Sequence, residues 1–118
     1  MVDRKWAAAN KPFLIKLVKL LAQKDAEYKA KAEAWSAGSS YAQAIAKLTG
    51  AAPADVPGSL AAYRFLSLDE QASPAWLGGG AAKALADTAS FLKEQGRISA
   101  LAPDYAKFVT DEYVKAAK

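Results

Sequence analysis

A run of three glycines, Gly78-Gly79-Gly80, stands directly before an apolar-periodic stretch, and Trp76 lies just upstream of it. Glycine leaves the backbone accessible, and the amides at a helix start carry the positive end of the helix dipole. The turn is therefore a candidate receiver for phosphate, sulfonate or carboxylate. The Trp76 indole could stack on such a ligand, although indoles in helical proteins mostly serve cores and interfaces, as expected for Trp6 and Trp35. The run lacks the Lys-Ser/Thr ending of a phosphate-binding loop and the spacing of a dinucleotide fingerprint, so no nucleotide is expected. A flexible connection, or close packing of loop against helix, is the plainer role for the glycines. Trp76, Gly78, Gly79 and Gly80 are accordingly the candidate ligand-binding residues.

Other chemistry is thin. The chain has no Cys and no His, which excludes disulfides, thiolate nucleophiles, imidazole bases and zinc sites built on those ligands. Asp69-Glu70 and Asp111-Glu112 are adjacent pairs, and neighbours on a helix point about 100° apart, so capping and solvation explain them better than an acid–base dyad. No catalytic residue, metal site or cofactor is expected, and an enzyme is not expected, because nothing supplies a base of tuned pKa.

The 118 residues suit one domain, read as a single helical unit over 1–118. With 53% hydrophobic and 24% charged residues the composition is that of a soluble globular chain. The formal charge of +4 is concentrated early: residues 1–35 hold eight Lys/Arg against four Asp/Glu, and residues 36–118 hold eight against eight. Such an excess can attract nucleic acid or anionic lipid, yet the lysines are spread at helical spacing, which a solvated helix face explains. With no recognition-helix pattern, basic arm or aromatic interleaving, no nucleic-acid partner is expected. No apolar run reaches the length of a membrane span, and the opening Met1-Val2-Asp3-Arg4-Lys5-Trp6 lacks the apolar stretch of a secretory signal.

The elements that must position these residues read as helices. Alanine fills about a quarter of the chain, which favours helix and close helix contacts. Asn10 is placed to cap a helix with Pro12 near its start, in which Phe13, Leu14, Leu17, Val18, Leu20 and Leu21 form a core-facing stripe up to Tyr28. Ser39 or Ser40 caps a second helix, with Tyr41, Ile45 and Leu48 inward and Gly50 as its left-handed stop. Pro53 and Pro57 predict a turn or a single helical turn, and only residues 63–66 have a strand-like flavour. Ser67 and Glu70 form a capping box for a short helix from Leu68 toward Leu77, with Pro74 in its middle able to confine it to a turn or two on either side. Residues 81–95 predict a helix with Ala82, Leu85, Ala89 and Leu92 inward, ended by Gly96. Phe108, Val109, Tyr113 and Val114 serve a last segment. The fold class is all-α, a compact array of about five helices.

The segments over residues 63–78 (YRFLSLDEQASPAWLG), 82–98 (AKALADTASFLKEQGRI) and 103–110 (PDYAKFVT), in that order, resemble the C-terminal part of taurine-type periplasmic substrate-binding proteins of ABC transporters. Residues 3–12 are similar to the same family's passage from a strand into a helix near a proline. The resemblance implies that the chain is the helical C-terminal portion of a larger α/β two-lobed binding protein, with the second lobe, most of the sheet and any signal peptide belonging before residue 1. It implies a periplasmic protein whose partners are a sulfonate or amino-sulfonate ligand and an ABC permease. It carries no known ligand residue onto Trp76 or the glycines. Helix faces that lose a sheet would be prone to self-association. The alternative is a small stand-alone helical protein-interaction domain.

Overall fold

The computed structural model describes residues 2–118. The described residues form seven α-helices and no strand: α1 (Arg4–Ala9), α2 (Lys11–Ala30), α3 (Ser40–Thr49), α4 (Val56–Ala61), α5 (Leu68–Ala72), α6 (Gly80–Glu94) and α7 (Glu112–Ala116). Three 3-10 turns, Ala32–Trp35, Pro53–Asp55 and Ala106–Phe108, lie between them. The all-α expectation holds, and the strand-like residues 63–66 are irregular chain.

The helices sort into two compact units. One joins the chain up to Leu20 with Leu68–Lys118, and the other is the continuous segment Leu21–Ser67.

In the first unit the Asp3 carboxylate accepts from the Trp6 amide at 2.8 Å and caps α1, a helix the sequence reading had not anticipated. Asn10 closes α1 rather than capping α2 with its side chain. Its Nδ2 donates back to the Trp6 carbonyl at 2.9 Å, while its own carbonyl accepts from Leu14. The chain ends are then tied across the sequence: the Arg4 guanidinium donates to the Lys107 carbonyl, Lys11 pairs with Glu112, and Lys118 pairs with Asp69. The pairing holds the Lys11 ammonium above the ordinary lysine range, chiefly through the hydrogen bond and then the charge of Glu112. Helix α5 packs on α7, and α6 on the Ala106–Phe108 turn. Helix α6 ends as predicted at Gly96, whose φ is +66°. Gly96 N–H donates to Lys93 and Arg97 N–H to Leu92, the paired closure of a helix C-terminus that needs a left-handed residue.

In the second unit Ser39 Oγ accepts from the Ala42 amide at 3.1 Å, and Gly50 (φ +76°) stops α3. Ala42, Ala46 and Val56 form its core, with Ile45 and Leu60 packed against them. Rings of Trp35 and Tyr41 stack with centroids 4.3 Å apart, and Tyr28 lies edge-on to Trp35 and beside Phe65.

Which faces are buried departs from the apolar pattern. The expected Phe13–Leu21 stripe is not a core stripe: no residue of α2 is buried, and Phe13, Leu17, Leu20 and Leu21 are exposed. In α3 the inward face is turned by one residue, to Ala42 and Ala46, leaving Tyr41 and Leu48 outside. In α6 Ala89 is buried, Ala82 and Leu92 are half-buried, and Leu85 is exposed. The buried positions among the described residues are Ala7, Ala42, Ala46, Val56, Ala89, Val114 and Ala117. Small side chains thus occupy the contacts, because they allow backbones to approach more closely than leucine does.

Candidate functional site

The turn bearing the glycines is wound tightly. Helix α5 stops after Ala72, where Ser73 turns both its amide (3.1 Å) and its hydroxyl (2.7 Å) back to the Glu70 carbonyl. The Ser73 carbonyl accepts from Trp76 and Gly78, the Pro74 carbonyl from Gly80 at 2.9 Å, and the Trp76 carbonyl from Gly79 and from Ala81 at 2.8 Å. Gly79 in turn accepts from Lys83 in the first turn of α6. The amides of Gly78, Gly79 and Gly80 are therefore engaged by the chain's own carbonyls.

The same geometry explains the residue type. A Cβ at Gly78 would meet the Ser73 carbonyl oxygen at 2.8 Å and the Ala72 oxygen at 2.9 Å, and one at Gly80 would run into the Ala75 carbonyl. Real Cβ atoms do not approach backbone oxygens so closely, so two of the three glycines permit a loop to fold onto itself.

Gly78 and Gly79 line an open cleft of about 310 Å³ with Leu77 and Ala82 on the same stretch of chain. Its other lining residues are Ala106, Val109, Thr110 and Asp111. Trp76, 39% exposed, and Gly80 do not line it. The structure thus brings two of the four candidate residues to a concave surface.

Thr110 and Asp111 are cleft residues that sequence reasoning missed. From the sequence alone Asp111 reads only as one of two adjacent carboxylates serving caps and solvent. The two carboxylates do diverge, Asp111 pairing with Lys115 at 2.7 Å and Glu112 with Lys11. Thr110 Oγ1 accepts from the Glu112 amide at 3.2 Å. The signal that could have found them is the return of the chain from Pro103 toward the start of α6, which no local pattern records.

Chemically the cleft offers a carboxylate and a hydroxyl together with the first turn of α6, whose dipole favours an anion. It holds no nucleophile–base pair, and the described residues contain no cluster of His, Cys, Asp or Glu arranged to hold a metal. No described helix is long and apolar enough to cross a membrane.

No family model matches this chain. No solved structure matches it. The chain is similar to the taurine-binding periplasmic protein of Escherichia coli (strain K12), with 35% identity over 115 residues. That match covers 97% of this chain and 35% of the relative, so the chain spans about a third of the length of the curated relative it matches.

Proposed function

We propose that this chain corresponds to the helical C-terminal portion of the substrate-binding component of an ABC transporter, and that the protein it corresponds to receives taurine or a related sulfonate in the periplasm. The observation that carries this reading is the 35% identity sustained over 97% of the chain to a protein named for taurine binding. The cleft fits the reading in kind. Taurine has an anionic sulfonate and a cationic ammonium, and the cleft places the start of α6 near the carboxylate of Asp111, which Lys115 already pairs and an ammonium would have to share. Of the proposed ligand-side residues, Gly78 and Gly79 line the cleft, and Trp76 and Gly80 lie outside its lining. The function is binding and delivery to a permease, not catalysis.

The isolated chain should bind poorly. With the glycine amides engaged by carbonyls, the anionic end meets little more than a helix terminus, a contact of about 1 kcal/mol, whereas even millimolar affinity requires about 4 kcal/mol.

The decisive experiment is a chimera in which this chain replaces the matching 115 residues of the Escherichia coli protein. Calorimetry should show taurine binding within about tenfold of the unaltered relative, a difference of about 1.4 kcal/mol. A chimera that melts cooperatively and binds no taurine would overturn the reading. Trp76→Ala in the chimera should weaken binding at least severalfold; an unchanged affinity would remove Trp76 from the ligand site.

A further inference from the structure

We propose that α7 is a strap that holds the two walls of the cleft together, anchored by an ion pair at each end, and that these pairs set how readily it opens. One wall is Thr110 and Asp111, which lead directly into α7. The other is Gly78 and Gly79, which follow α5 through the wound turn. At the start of the strap Glu112 pairs with Lys11 on α2, and beyond its end Lys118 pairs with Asp69 on α5. Between these anchors Val114 and Ala117 are buried, and α7 packs on α5. Lys115 pairs with Asp111 at 2.7 Å, and Thr110 Oγ1 accepts from the Glu112 amide at 3.2 Å, so the wall residues are bonded to the strap itself.

A helix of five residues has too few internal hydrogen bonds to offset its own nucleation, so contacts outside it decide whether it stays wound. Those contacts are small, since a valine and an alanine bury less apolar surface than the leucines and aromatics of an ordinary core. The charges at the two ends of α7 therefore weigh more than those on a long helix such as α6, where Lys83 and Asp87 sit among fifteen residues that hold one another. Opening at the strap carries Thr110 and Asp111 away from Gly78 and Gly79 while α6 stays wound, a local opening of a weakly packed segment. The strap requires no exposed face, because every contact it uses lies inside the first unit of this chain. Only the geometry of the cleft enters, not its ligand, so a failure here and a failure of the sulfonate reading are separate results.

The test is amide hydrogen exchange followed by nuclear magnetic resonance on the full chain, read at Lys115 and Ala117, whose amides donate to the Asp111 and Tyr113 carbonyls along the strap. Glu112→Gln should speed exchange at both by about two- to fivefold, the weight of one exposed pair. Asp69→Asn should do the same from the other end. Lys11→Met combined with Glu112→Gln should add nothing to Glu112→Gln alone, because both break one pair. Raising salt to about 0.5 M should speed exchange in the wild type more than in Glu112→Gln. Asp87→Asn, which removes an ion pair from α6, should leave Lys115 and Ala117 within about 1.5-fold of the wild type. The Gly78 and Gly79 amide resonances should shift in Glu112→Gln and not in Asp87→Asn. Unchanged exchange in Glu112→Gln or Asp69→Asn, an equal acceleration of the α6 amides around Ala89, or additive effects of Lys11→Met and Glu112→Gln would each overturn the proposal. So would an equal salt response in wild type and Glu112→Gln, or glycine resonances that stay in place.

Discussion

A methyl group distinguishes two kinds of glycine in this chain. At Gly80 it would collide with the Ala75 carbonyl, while at Gly58, inside α4, it would meet nothing within 4 Å. Gly80→Ala should therefore lower stability by about 1–3 kcal/mol, the usual cost of overpacking. Gly58→Ala should raise it by about 0.5–1 kcal/mol, by reducing the freedom of the unfolded chain. Urea denaturation of both variants checks the pair, and equal shifts would refute the account. A second prediction concerns Lys11. Its pKa is raised in the folded chain by Glu112, so the stability that this pairing contributes is fully present below the unfolded lysine value of about 10.4 and is lost as pH rises through the folded value. Melting temperatures of the wild type and Lys11→Met should differ at neutral pH and converge on the alkaline side. A gap that stays constant to high pH would show that the pair contributes nothing.

At the scale of the element, helix ends were legible and helix faces were not. Ser39 and Gly50 bound α3 because a hydroxyl accepting an amide and a glycine at positive φ are chemistry of a few neighbouring residues. Ser39→Ala should accordingly lower stability by about 1 kcal/mol in thermal or urea unfolding; no change would mean that water replaces the cap. The face of α3 turned out differently, because burial is decided by how closely a neighbour approaches. Ala42 and Ala46 admit Val56 where Tyr41 and Leu48 could not. The candidate site divides along the same line. The glycine run reads equally as a flexible connection or as close packing, and the tightly wound turn decides for packing, whereas Thr110 and Asp111 reach the cleft only through the return of a distant segment. Helix α1 was missed although Asp3 followed by alanines around Trp6 carried its signal, a cap before a run of good helix formers.

For the molecule as a whole, the area left in water is large. Large apolar side chains such as Phe13, Leu48, Tyr63, Phe91 and Phe108 are exposed. Denaturant sensitivity scales with the surface newly exposed on unfolding, so the urea m-value should fall below about 1 kcal/mol/M, and the native chain should bind a hydrophobic dye. A steep transition without dye binding would show that these side chains are covered in solution. The division of the chain also bears on its synthesis. Leu21–Ser67 is one uninterrupted segment, while the other unit is assembled from both ends of the polypeptide, tied through Arg4 to Lys107 and Lys11 to Glu112. On a ribosome the segment Leu21–Ser67 has the partners of its own unit as soon as residue 67 has cleared the exit tunnel, but Arg4 and Lys11 must wait for Lys107 and Glu112. Vectorial production thus leaves the stretch up to Leu20, with its exposed Trp6 and Phe13, to mature after the segment that follows it, and makes it dependent on a chaperone in the interval.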